Sequence, residues 1–177
     1  MNEWFNKNSN REEAFEHDSA ILKRRRMSII QTKREGEFPM TKELWINLPV
    51  KDLEKSKSFF AALGFSFHPR HENSKEMAGL VIGEKNMLIM LFPEATFQSF
   101  TQNELADTKR GTEVLFSIDA ESREEVDELM RQVVEAGGTV FSEPREHGPG
   151  MYGAGFADLD GHRWNVLYME MRLISTE

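Results

Sequence analysis

The sequence predicts an α+β fold of two tandem βαβββ modules, forming a cup-shaped mixed sheet with external helices. Three observations predict it. Strand, helix and three further strands follow one another twice in the same order. Each helix opens on a capping residue, Asp52 then Ser122, and closes on glycine, Gly64 then Gly137-Gly138, so the second copy trails the first by about seventy positions. In each copy a short polar turn joins the last two strands, Gly83-Glu84-Lys85 and then Asp158-Leu159-Asp160-Gly161.

Leu44–Leu48 alternates as a strand, and Pro49 ends it or places it at an edge because proline has no ladder N–H. Asp52 caps a helix over Leu53–Leu63, with Leu53, Phe59, Phe60 and Leu63 on one face. Gly64 ends it and Phe65 packs back. Phe65–His68, Met77–Ile82 and Asn86–Phe92 are the next three strands, and a looser, partly helical stretch covers Glu94 to about Asp107. Glu113–Ile118 opens the second copy. Ser122-Arg123-Glu124-Glu125 is a capping box, and Val126, Leu129, Met130 and Val133 form the buried face of its helix. Thr139–Ser142 is a strand, Glu143–Gly150 a loop rich in Gly and Pro, and Met151–Ala157 and Arg163–Met169 the last two strands.

The 177 residues divide into an N-terminal extension, 1–40, and one domain, 41–172. Module one covers about 41–107 and module two about 111–172. The extension is poorly ordered or helical, with a helix around Glu12–Met27 and a basic run, Lys23-Arg24-Arg25-Arg26, that reads as a solvated face or an anionic-surface patch. With 22 Lys+Arg against 30 Asp+Glu the net charge is −8, made up of +1 in residues 1–40 and −9 in residues 41–177, which argues against nucleic acid as a partner. There is no cysteine, which removes disulfides, thiol catalysis and thiolate metal sites, and fits a cytoplasmic setting. No apolar run approaches the roughly 18 residues of a membrane span, so no membrane partner is expected.

Particular words then add to the pattern: Leu48-Pro49-Val50-Lys51-Asp52-Leu53 leading into Phe59-Phe60 and Leu63-Gly64-Phe65; Ser117-Ile118-Asp119 before the second helix; Met151-Tyr152-Gly153; and Asp158-Leu159-Asp160-Gly161-His162 with Arg163-Trp164-Asn165-Val166. In this order, over about residues 42–170, the chain resembles the glyoxalase/bleomycin resistance protein/dioxygenase superfamily, also called the vicinal oxygen chelate superfamily. The resemblance implies homodimerisation and a divalent metal in the cup, held by inward residues on the first and last strands of each module. The matching positions are Trp45, about Met90, Glu113 and Asn165. Trp45 offers no donor and Met90 only a soft thioether, whereas hard cations want several oxygens and Zn²⁺ wants imidazole or thiolate. Glu113 is the single candidate metal ligand, and the cofactor is either none or a weakly held divalent metal.

Strand alternation lines the cup with Trp45, Asn47, Met90, Leu115, Ser117 and Asn165, the apolar-with-few-polar make-up of a small-molecule site. Trp45, Met90 and Leu115 serve equally as plain core filler. Glu113 is the candidate general base, since a carboxylate facing an apolar cavity has its charged form disfavoured; alternatively it pairs outside, near Lys109-Arg110. His147, in the expected loop, and Tyr152, just after it, either close over a ligand or pack. His68 and His71 read as surface histidines, and His162 as part of its turn.

Three functions follow. One is a small-molecule-binding protein with a degenerate metal site, its acidic charge favouring a cationic ligand at long range. The second is a divalent-metal-dependent lyase or isomerase similar to lactoylglutathione lyase. The third is a scaffold whose cup is filled by side chains.

Overall fold

The computed structural model describes residues 43–170. The expected extension, its helix and its basic run lie outside the described residues, as do the outermost positions of the expected domain, 41–42 and 171–172.

Module one begins with β1 (Ile46–Val50), then α1 (Leu53–Ala62), β2 (Ser66–Phe67), β3 (Ala78–Ile82) and β4 (Met87–Pro93). A helix, α2 (Glu94–Thr101), leads out of it and ends at Gln102, shorter than the stretch expected to Asp107. Module two repeats the order with β5 (Leu115–Asp119), α3 (Arg123–Glu135), β6 (Thr139–Gly148), β7 (Met151–Ala157) and β8 (Arg163–Met169).

Local chemistry sets both main helices. The Asp52 carboxylate accepts the Lys55 N–H at 3.1 Å, and the Ser122 hydroxyl accepts the Glu125 N–H at 3.1 Å. At the far ends, Gly64 and Gly137 take φ of +85° and +92°. That left-handed step lets Phe65 N–H reach Phe60 O at 3.0 Å and Gly138 N–H reach Val133 O at 2.8 Å, tying off carbonyls each helix would leave bare.

The strands form two four-stranded sheets with matching order, β1-β4-β3-β2 (sheet one) and β5-β8-β7-β6 (sheet two). The first and last strands of each module run parallel and the other neighbours antiparallel. β1 and β5 therefore each stand at an edge. Pro49 sits inside β1 because an edge strand tolerates a missing N–H on its open side.

The helix-facing sides of the sheets share one core. Phe60 of α1 meets Trp164 of β8 edge-on at 5.4 Å, Phe59 lies 6.4 Å from Phe156, and Trp164 stacks on Phe156 at 6.0 Å. The helix of module one is thus buried against strands of module two, and each such phenylalanine contributes about 1.5–3 kcal/mol by leaving water. Val126, Met130 and Val133 of α3 complete the layer.

Two expectations change. The segment Glu143–Gly148 is not a loop: β6 continues through it as an edge strand, with register shifts between Ser142 and Arg145 and again before Gly148. A bulged edge absorbs Pro144, so proline and glycine here mark irregular pairing rather than its end. The second module's first strand starts at Leu115, leaving Glu113 on an exposed bend before it.

Candidate functional site

The core takes one face of each sheet, so chemistry is left to the other. In sheet one that second face carries Asn47 beside Met90, its partner in the β1–β4 register, and Gly79, the partner of Met90 in β3. Met90 is 9% exposed, whereas Asn47 is exposed and Trp45, just ahead of β1, is 57% exposed. A Cβ on Gly79 would meet His68 Cβ at 3.3 Å, His71 Nδ1 at 3.4 Å and Met90 Sδ at 3.4 Å. His68 and His71 therefore lie over the strand with Met90 rather than loose on the surface. His68 holds the turn Pro69–His71 by accepting the Arg70 N–H at Nδ1, 3.2 Å away. His71 Nδ1 is buried without a hydrogen-bond partner. The sequence signal for this pair is the lone glycine in β3, which marks a close approach.

Sheet two is arranged by the same device. Ser117 stands beside Asn165 and Leu115 beside Arg163, all on the second face. The middle strand is bare there, with Gly153 and Gly155. A Cβ on Gly153 would meet Leu167 Cδ2 at 2.7 Å and His147 Cδ2 at 3.5 Å, and one on Gly155 would meet the Phe141 ring at 2.5 Å. Side chains from β6 and β8 thus fold across β7, and His147 joins this face from a strand. Leu115 is 52% exposed and Phe141 41%.

Tyr152 is not among them. It pairs with Tyr168, one parity away from Asn165 and Gly155, so its ring lies on the helix side. There its hydroxyl donates to Asp127 Oδ1 of α3 at 2.8 Å, and the Arg123 guanidinium sits 5.1 Å above the ring. The bond to the Asp127 carboxylate holds the phenol above its ordinary proton affinity.

Glu113 lies in a cavity of about 350 Å³ between β1 and the chain leading into β5, with Asn47, Pro49, Phe97, Phe116 and His162 among its walls. The structure brings Asn47 and Glu113 to one space, away from Ser117 and Asn165. Glu113 is exposed on its bend.

The turn Asp158–His162 ties this region together. Asp158 is buried; its carboxylate accepts the N–H groups of Asp160 and His162 at 3.0 Å each and Trp164 Nε1 at 3.2 Å. Asp160 accepts Lys51 N–H at 3.0 Å and the Ser56 hydroxyl at 3.2 Å, and Thr108 donates to Asp160 O at 2.7 Å. Burial pushes the Asp158 carboxyl above the usual carboxylate range, opposed by the His162 ring and the three N–H donors.

The positions expected to hold a divalent metal do not fit one. Trp45 supplies no donor, Met90 a soft sulfur, Asn165 a neutral amide and Glu113 one carboxylate on a separate bend. Among the described residues no group of three or more His, Asp or Glu side chains comes together, and no helix is long and apolar enough to cross a membrane.

Comparison with known proteins agrees with this architecture. The family model for the Glyoxalase/Bleomycin resistance protein/Dioxygenase superfamily matches residues 44–166. A solved structure of a hypothetical protein from S. aureus is 40% identical, with a TM-score of 0.66 over 73% of this chain and 95% of that one. A glyoxalase/bleomycin resistance protein/dioxygenase family enzyme from Burkholderia phytofirmans PsJN is 20% identical (TM-score 0.58; 70% and 94% covered). A lactoylglutathione lyase from Agrobacterium tumefaciens is 17% identical (TM-score 0.50; 74% and 95% covered), which is a likeness of fold alone. No curated protein matches the chain.

Proposed function

The chain belongs to the glyoxalase/bleomycin resistance protein/dioxygenase superfamily, and on that premise we propose that it binds a small molecule on the open faces of its sheets, without a resident metal. The observation that carries this is the composition of those faces. On sheet two exposed Leu115 shares a face with Ser117 and Asn165, and on sheet one Asn47 follows exposed Trp45, so each face is apolar surface with a few hydrogen-bonding groups. The mismatched donor set at Trp45, Met90, Glu113 and Asn165 supports binding over metal-assisted lyase chemistry.

A second copy of the chain completes the site. β1 and β5 end their sheets with open edges, and a free edge is a template for pairing. Trp45 and Leu115 are exposed beside those edges at 57% and 52%. A homodimer joining β1 of one copy to β5 of the other would cover both and make one cup from the faces of two chains.

Two measurements test this. Nile red, a neutral apolar dye, is expected to brighten saturably with the protein and to bind at least several-fold more weakly to Leu115→Glu. Light scattering is expected to give twice the chain mass, shifted toward the monomer in the same variant. A monomeric wild type that leaves the dye dark would overturn the reading.

A further inference from the structure

We infer that Arg163 is an anion-binding residue of this face, held ready for the carboxylate or phosphate group of a small amphiphilic ligand. The inference rests on the small-molecule reading above and names the ligand class.

Three strands build the arrangement. Gly155 on β7 leaves bare backbone, and a Cβ there would strike the Phe141 ring at 2.5–2.6 Å. Phe141 of β6 therefore lies flat across β7. The Arg163 guanidinium, from β8, sits 4.2 Å above the centre of that ring. An arginine stacked on an aromatic face keeps its planar fork of donors free at the edge, and its freedom is already reduced before a ligand arrives.

Its charge lacks a protein partner. Among the described residues the ion pairs within 4.0 Å involve Lys55, Lys57, Arg123 and Arg131, never Arg163. Arg70, Arg110 and Arg145 also lack one, but they are exposed and water serves them, whereas Arg163 is half-buried. A half-buried cation without a counter-ion is unfavourable unless something answers it, and the ring answers only in part. Glu113 lines the 350 Å³ cavity that Arg163 also borders, yet no ion pair within 4.0 Å joins the two.

The surroundings suit an anion carrying an apolar body. Asn165, two positions on along β8, and Ser117 beside it have donors to add. Leu115, opposite Arg163, and Met169 and Phe141 on the same face are 52%, 41% and 41% exposed. The overall negative charge would draw cations from a distance, but salt screens that attraction within about 10 Å, so the contacting residue decides.

Four eight-carbon probes differ only in the head group: octanoate, octyl phosphate, octanol and octylammonium. Calorimetric titration is expected to show both anions binding, about tenfold or more tighter than octanol, with octylammonium weakest. The ratio of octanoate to octyl phosphate separates a carboxylate site from a phosphate site. Arg163→Gln is expected to erase the preference for anions, with octanoate and octyl phosphate falling to the affinity the same variant has for octanol. If that variant does not fold, Phe141→Leu keeps the charge but removes its platform, and a several-fold loss for the anions alone is expected. Octylammonium binding as well as octanoate, or octanoate binding unaltered in a folded variant, would overturn the role of Arg163 while the cup stands. If Nile red and all four probes fail to bind, the small-molecule reading falls with it.

Discussion

His162 Nε2 donates a hydrogen bond to the carbonyl oxygen of Pro49 at 2.8 Å, across 113 residues of sequence. A carbonyl can only accept, so the proton resides on Nε2. The bond fastens the last turn of module two to the end of the first strand of module one. His162→Ala is expected to lower stability by about 1 kcal/mol, read as a drop in the urea midpoint. An unchanged midpoint would show that water replaces the ring without loss.

Gly138 and Gly137 adjoin one another yet serve different ends. A Cβ on Gly138 would lie 2.8 Å from Val133 Cγ1, 2.9 Å from Phe59 Cε2 and 3.0 Å from Ala157 O. Gly138→Ala is expected to cost about 1–3 kcal/mol by overpacking the seam between the modules. Gly137, at φ +92°, has room for a methyl but not the backbone for it, so Gly137→Ala is expected to cost about 1 kcal/mol. Paired denaturation curves check the order of the two.

Acid dependence follows from Asp158. Burial raises its proton affinity in the folded chain, so its contribution to stability is full below the ordinary value of 3.8 and is lost as pH rises through the higher folded value. Asp158→Asn cannot titrate. The stability of the wild type relative to this variant is therefore expected to decline as pH climbs from 3.8, measured by urea unfolding at successive pH values. A relative stability that rises over that interval would reverse the assignment.

Tyr152→Phe removes the hydroxyl bonded to Asp127 on the helix side. It is expected to lower the melting temperature slightly and to leave Nile red affinity unaltered. Weaker dye binding without a change in melting would return Tyr152 to the ligand face.

What the sequence reveals here is mostly what lies close along the chain. The caps at Asp52 and Ser122, the glycine exits and the repeated strand order all act within a few residues, and each is visible as a word. The boundary at Leu115 and the length of β6 depend on partners. Glu113 is shaped like a strand residue but pairs with nothing, while Pro144 is shaped like a breaker but stands on an open edge. Tyr152, which the sequence leaves open between closing over a ligand and packing, takes the helix side because its strand's parity is set by the pairing with Tyr168, a partner 16 residues away. Arg163 and Phe141 carry no signal in the sequence as site residues, because their relation spans three strands and needs the bare Gly155 between them.

The ties from Asp160 to Lys51 and Ser56 reach back 109 and 104 residues. During synthesis the corner between β1 and α1 leaves the ribosome long before its acceptor exists, and Phe60 waits equally long for Trp164. Module one therefore cannot finish on its own schedule. Its contacts are of high sequence separation, which slows folding and leaves apolar surface bare in the meantime. The same late turn that locks the modules together makes the whole domain, rather than either half, the smallest piece that can be released complete.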